Sequence, residues 1–202
     1  MVTSILARQL LERHGELHPQ PPTDWRGEFL IPPAVERFYE EIGPVNVSVE
    51  SCGIPYLLPS LADLWGRTGQ YRWDVSFDSP PNSEKDWSED WVVVADAGGF
   101  EALIFARTSG RILRASLYEE RWDPVEVFPD LNTMAGCLGT LGTIIRDAGR
   151  SFTDDDDEIR PKYRQEAIDQ LALLLGSELG AEAILVHLWE VVRSNPNPPF
   201  EQ

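Results

Sequence analysis

Apolar residues in the first third of the chain follow a helical spacing and then an alternating one. The leucines of residues 3–13 are placed as on one side of a helix, which predicts a short helix there. Its apolar positions are Leu6, Leu10 and Leu11.

A second helix is predicted to begin at Pro32-Pro33, because proline suits the first helical turn. The core-facing positions of this second helix are Val35, Phe38, Tyr39 and Ile42. Valine then alternates with polar residues over 45–51, as in a half-buried strand, and a strand-like run with a small helix (LADLW) follows within 53–65.

The middle of the chain carries the densest strand signal. Runs of strand-forming residues occupy 91–96, 102–107 and 111–118, and the segments DAGGFE and RTSG separate them. This spacing predicts an antiparallel meander. A further strand is predicted at 125–129. A dinucleotide-binding loop would need GxGxxG between a strand and a helix, whereas the Gly98-Gly99 pair precedes another strand. We therefore predict that this glycine pair is a hairpin turn.

Helices are predicted to complete the fold. Residues 131–149 have apolar residues at helical spacing despite three interior glycines. Those glycines, Gly136, Gly139 and Gly142, would form a strip that permits close packing. Two more helices follow the acidic stretch at 152–158.

The predicted fold class is α+β, with a mainly antiparallel meander sheet flanked by helices and a C-terminal two-helix extension. We divide the chain into an N-terminal helix and linker (1–27), an α+β domain (28–149) and a helical extension packed on the core (158–195).

Charge narrows the classes of partner. The 202 residues include 34 acids and 17 bases, which gives a formal net charge of −17. Such a surface repels nucleic acid and anionic membranes, and it accelerates encounter with a basic partner. We therefore expect neither nucleic acid nor a membrane as the ligand. The alternative is that the acidic coat only keeps the protein soluble.

The acids are densest just before the predicted meander. Between Asp74 and Asp90 the sequence DVSFDSPPNSEKDWSED is an acidic loop with a tryptophan inside it. Tryptophan is common at the centre of protein interfaces, and surrounding charges steer a partner. The candidate partner-binding residues are Asp74, Asp78, Glu84, Asp86, Trp87, Glu89 and Asp90. The alternative is that Trp87 covers an edge of the sheet.

The sequence favours no catalytic residue, cofactor or metal site. His14 and His18 are four positions apart, but an intervening glycine and a following proline disturb the helix that a zinc pair needs. The run Asp154–Asp157 does not place glycine where an EF-hand requires it. Cys52 and Cys137 are far apart in sequence, which indicates reduced packing residues. Without a secretory signal pattern, we expect a cytoplasmic protein.

Four segments together resemble the SUKH superfamily, which includes fungal cell-wall regulators and many bacterial immunity proteins. The proline-led helix FLIPPAVERFYEEIG resembles the opening helix of that family, and GIPYLLPSLADLW resembles its next strand and short helix. WVVVADAGGFEALIFARTSGRI is similar to its strand, Gly-Gly turn and strand, and VEVFPDLNTMAGCL to its last strand and closing helix. The resemblance covers about residues 28–146 and leaves the C-terminal helices outside it.

The resemblance implies a binding protein without catalytic residues. It suggests a cytosolic immunity protein that neutralises a cognate secreted or polymorphic toxin, such as a nuclease, by covering it with an acidic surface. A regulatory or scaffolding adaptor of the same fold, possible as a homodimer, is the alternative, and an enzyme is the least favoured hypothesis.

Overall fold

One antiparallel sheet organises the chain. The structure, a computed structural model, describes residues 2–72, 87–98, 101–118, 121–156 and 158–190. Within these ranges six strands lie side by side in their order along the chain, and every neighbouring pair is antiparallel. The strands are β1 (Val47–Val49), β2 (Tyr56–Leu58), β3 (Trp91–Asp96), β4 (Glu101–Ala106), β5 (Ile112–Tyr118) and β6 (Arg121–Phe128). The predicted meander and the α+β fold class are thus confirmed.

Helices flank this sheet. Among the described residues these are α1 (Ser4–Leu11), α2 (Pro33–Glu41), α3 (Leu61–Arg72), α4 (Leu131–Ala148), α5 (Pro161–Leu175) and α6 (Glu178–Leu185), and a π-helical turn continues α6 over Val186–Glu190. Local chemistry sets several of the ends. The side chains of Thr3, Asp130 and Ser177 accept hydrogen bonds from backbone N–H groups of the first turns of α1, α4 and α6. Proline opens α2 and α5, and a left-handed Gly176 ends α5.

Glycine turns connect the central strands. Gly98, which follows β3, has φ +77°, and Gly110, which lies between β4 and β5, has φ +71°. Both values lie in the left-handed region that glycine adopts without steric cost. The backbone N–H of Ala97 donates to the carbonyl of Glu101 at 3.0 Å across the first turn. The predicted hairpin is therefore present, although Gly99 lies outside the described residues.

The main hydrophobic core fills one face of the sheet. Helix α4 runs through it and is buried along most of its length. A bulge between Val93 and Ala95 turns both Val94 and Ala95 toward this core, whereas strict alternation would separate them. The N-terminal segment, the α+β domain and the helical extension all contribute to this core, for example through Leu11 of α1 and Leu171 of α5.

The opposite face of the sheet carries a smaller, aromatic cluster. Tyr71 at the end of α3 packs there with Trp87 and Trp122. Helix α3 also lies along β3, where the hydroxyl of Thr68 accepts a hydrogen bond from the backbone N–H of Val93 at 3.0 Å. The helix thus protects a strand edge that the short β2 leaves open.

The glycines of α4 allow close packing, as predicted. A Cβ at Gly139 would lie 2.9 Å from the backbone of Leu10 in α1. A Cβ at Gly142 would lie 2.4 Å from a methyl group of Val49, and one at Gly136 would lie 3.1 Å from Val2. Helix α1 and strand β1 therefore approach α4 more closely than an alanine would permit.

Three elements differ from the sequence prediction in extent or orientation. The small helix predicted at 61–65 continues to Arg72, through two glycines, because its last turns pack on β3 and the aromatic cluster. The strand predicted at 125–129 begins earlier, at Arg121, where it pairs with β5. In α1 the fully buried residues are Ala7 and Leu11, while Leu6 is 37% exposed and Leu10 is half-buried.

Candidate partner-binding surface

The structure describes some of the predicted partner-binding residues and not the others. Asp74, Asp78, Glu84 and Asp86 lie outside the described residues. Trp87, Glu89 and Asp90 are described and lead directly into β3. Of the acidic loop, the structure therefore describes only the end, which leads into the first residue of β3.

Trp87 is part of the aromatic cluster beneath the sheet. Its side chain is 6% exposed, and its ring stands edge-on to those of Trp91 and Trp122, with centroids 5.2 Å and 5.4 Å away. Edge-to-face contacts of this kind stabilise a core beyond the apolar area they bury. The structure therefore places Trp87 in the cover of the sheet, the alternative that the sequence left open, and its ring offers little surface to a partner.

Glu89 and Asp90 have different surroundings. The Glu89 side chain is 87% exposed, and its carboxylate lies 3.8 Å from the guanidinium of Arg72. Asp90 is half-buried, and its carboxylate accepts hydrogen bonds from the backbone N–H and the hydroxyl of Thr108, at 2.9 and 2.7 Å. Asp90 thus fixes the turn after β4, whereas Glu89 presents a charge to solvent.

An aromatic group lies next to these acids. The rings of Trp25, Phe29 and Trp65 pack against one another with centroids 5.2 to 5.9 Å apart, and all three are half-buried. The guanidinium of Arg107 stacks on Phe29, 3.7 Å from the ring centroid, and also donates to the carbonyl of Glu89 at 3.3 Å. Leu30, which follows Phe29, is 92% exposed.

We call this region the aromatic–acid surface. It comprises Trp25, Phe29, Leu30, Trp65, Glu89, Asp90 and Arg107. Partly exposed aromatic rings and arginine are the side chains that are enriched at protein interfaces, and here they lie beside an exposed carboxylate. Sequence analysis missed the aromatic part, because its members come from three separate segments and no spacing rule connects them.

The histidines at 14 and 18 face different groups. The imidazole Nε2 of His14 lies 2.9 Å from the carbonyl oxygen of Gly139 and 3.2 Å from the hydroxyl of Thr143. Burial between the helices lowers the pKa of His14. His18 instead pairs with Glu16 at 2.7 Å. The part of the chain that the structure describes contains no group of three or more side chains placed to hold a metal ion.

A buried ionic cluster lies where β4 begins. The carboxylate of Glu101 accepts hydrogen bonds from the hydroxyl of Tyr56 and from the guanidinium of Arg114, the latter at 2.5 Å. Burial raises the pKa of Tyr56, and the Glu101 charge raises it further. The side chains of Glu101 and Arg114 are only 15% and 9% exposed, so this cluster connects β2, β4 and β5 internally.

Neither cysteine is in a disulfide. Cys137 is fully buried in α4, and burial raises the pKa of its thiol to about 12, so that it stays protonated. Cys52 is half-buried.

A groove opens on the helical side of the molecule. It has a volume of about 530 Å³ and lies between α1, α4 and α5. Its apolar lining consists of Leu6, Leu10, Ile144, Ala148, Leu173 and Leu174. Arg13, Asp147, Tyr163, Glu166 and Gln170 supply polar groups around it. The groove explains why Leu6 and Leu10 are not fully buried although their spacing is that of a core face.

Comparison with family models, curated proteins and solved structures yields no match to this chain. Among the described residues, no helix combines the length and the apolar character that crossing a membrane requires.

Proposed function

We propose that the protein is a non-catalytic binding protein, an immunity protein that neutralises a basic toxin in the cytoplasm by occluding it. The observation that carries the proposal is the aromatic–acid surface, where an 87% exposed glutamate and a 92% exposed leucine adjoin three partly exposed aromatic rings. Glu89 and Asp90 of this surface belong to the acidic loop that the sequence singled out. The sequence resemblance to the SUKH superfamily supports the same class of function.

The physical mechanism is steric and electrostatic. A net charge of −17 attracts a protein whose active site is basic, such as a nuclease, over distances of about a Debye length. After encounter, the aromatic rings and Leu30 supply the apolar contact that slows dissociation. Occupied in this way, the toxin's active site is closed to its substrate, and the binding protein needs no chemistry of its own.

Co-expression with the toxin that a neighbouring gene encodes tests the proposal. We expect a stable complex in a pull-down and protection of growth, and we expect association to slow as ionic strength rises. Glu89→Lys and Leu30→Gln should each weaken the complex about tenfold. Glu178→Lys is the matched control, because Glu178 is an exposed acid on α6, outside the surface. If no basic toxin forms a complex with the intact protein, the proposal is wrong.

Self-assembly as an adaptor is the second candidate. Leu173 and Leu179, on α5 and α6, are 81% and 80% exposed, which favours a contact with another protein at this end of the molecule. Sedimentation equilibrium would distinguish the candidates. The adaptor would be favoured by a dimer that Leu173→Gln and Leu179→Gln dissociate, together with cells that stay fully sensitive to the toxin when they produce the protein.

A further inference from the structure

The groove between α1, α4 and α5 is lined in part by apolar side chains that the fold leaves exposed. Leu173 is 81% exposed and Leu6 is 37% exposed, although both line the groove. Leucine on a helix is normally turned toward a core, so two exposed leucines facing one groove need an explanation. The volume of about 530 Å³ lies within the range of about 300–1,000 Å³ that ligand pockets occupy.

The walls of the groove are helices. Apolar side chains, the carboxylates of Asp147 and Glu166 and one cation, Arg13, all line it. The Asp147 side chain is 66% exposed, and its carboxylate lies 3.7 Å from the guanidinium of Arg146. An amphipathic helix whose apolar face enters such a groove, with its flanking charges over the sides, is a recurrent mode of recognition.

Charge selects the kind of helix. A second copy of this chain would bring another −17 to the contact, and the two copies would repel each other. A helix that carries lysine or arginine beside its leucines is attracted by the net charge of the whole chain and, at the groove, by the exposed Glu166.

We propose that the groove binds a basic amphipathic helix of the partner protein, as a docking site separate from the aromatic–acid surface. The inference rests on the proposed function only for the identity of the partner. The helix-binding property itself belongs to the groove.

A direct test uses synthetic peptides as probes. The probe is a fluorescein-labelled helix of about 15 residues, made of leucine and lysine, with the leucines at positions i, i+3, i+4 and i+7. One control peptide replaces every lysine by glutamate, and a second keeps the composition but scatters the leucines. Fluorescence anisotropy with the full chain should show binding of the first peptide, and at least tenfold weaker binding of either control.

Variants locate the binding site on the protein. Leu173→Gln removes an apolar group from the groove without changing charge, and it should weaken binding of the Leu–Lys peptide about tenfold. Leu179→Gln is the matched control, because this leucine is equally exposed on α6 but does not line the groove, and it should leave binding unchanged. Circular dichroism melts verify that both variants fold.

Four results would overturn the inference: equal effects of Leu173→Gln and Leu179→Gln, equal binding of the Leu–Lys and Leu–Glu peptides, a dimer that Leu173→Gln dissociates, or toxin binding that is insensitive to Leu173→Gln. The proposed function fails separately. Toxin binding that is insensitive to Leu173→Gln would show that the groove does not dock the toxin, while the immunity function would stand. Peptide binding without any toxin complex would contradict the immunity function, while helix binding by the groove would stand.

Discussion

A single histidine gives the helical layer its own pH dependence. His14 contacts the Gly139 carbonyl and the Thr143 hydroxyl, and the charged side chains that act on it are Arg13, Arg146 and Glu50. Burial holds its pKa below the ordinary value of 6.5, so the unfolded chain takes up the proton more readily. The contribution of neutral His14 is therefore complete above pH 6.5 and is lost as the pH falls below that value.

Urea unfolding at pH 7.0 and pH 5.5 measures this effect. The free energy of unfolding of the wild type should decrease between the two pH values, and His14→Gln should show a smaller decrease. His18→Gln is the control, because His18 is exposed and its imidazole pairs with Glu16. The same pH dependence in wild type and His14→Gln would show that other groups cause it.

The buried pair Glu101–Arg114 contributes to the stability of the sheet in a way that depends on both partners. Glu101→Gln leaves the Arg114 charge buried without a carboxylate, and we expect a loss of about 3 kcal/mol in the free energy of unfolding. Replacing both residues, as in Glu101→Leu with Arg114→Met, should recover most of this loss, because no unpaired charge remains. Denaturant titration of the three proteins decides between this account and simple loss of one contact.

At the scale of elements, two glycines on helices have opposite roles. A Cβ at Gly139 would collide with the backbone of Leu10, whereas a Cβ at Gly66 in α3 would meet no atom within 4 Å. Gly139→Ala should therefore destabilise the protein by about 1–3 kcal/mol through overpacking. Gly66→Ala should stabilise it by up to about 1 kcal/mol, because alanine favours the helix and nothing opposes the methyl group. Thermal unfolding of the two variants should shift in opposite directions; shifts in the same direction would contradict the packing described for α1 and α4.

The order of the elements could be predicted because each depends on neighbours in the sequence. Alternating valines gave β1, proline opened α2, and the glycine turns placed β3 to β5. The extent of α3 could not be predicted from the sequence. Its last turns are held by the hydrogen bond that Thr68 accepts from Val93 of β3 and by the packing of Tyr71 in the aromatic cluster. Local propensity, which two glycines reduce, is outweighed there by tertiary contacts.

At the scale of the whole molecule, the candidate surfaces depend on residues that are distant in sequence. Glu89 and Asp90 could be selected from local charge density, but Phe29 and Arg107 meet only in the folded chain. The groove likewise joins Leu6 to Leu173 across almost the whole length of the chain. The role of Trp87 was ambiguous in sequence because a tryptophan among acids suits an interface and a sheet cover equally well.

The C-terminal helices are predicted to be required for folding. Six large side chains from α5, α6 and the following turn are buried in the main core: Ile168, Leu171, Ile184, Leu185, Leu188 and Trp189. Burying each contributes at least about 1.5 kcal/mol, or about 9 kcal/mol together, which is comparable to the whole stability of a typical domain. Deletion of residues 158–202 should therefore abolish cooperative unfolding and expose apolar surface that binds a hydrophobic dye.

A matched variant separates this role from partner binding. Leu173→Gln combined with Leu179→Gln changes only exposed side chains of the same helices, so it should unfold cooperatively near the wild-type temperature. Calorimetry of the truncated and doubly substituted proteins gives the comparison. If the truncated chain instead unfolds cooperatively at an unchanged temperature, residues 2–156 are an independent domain and the C-terminal helices are not needed for its folding. Removing α5 would then leave the packing of α4 on the sheet undisturbed.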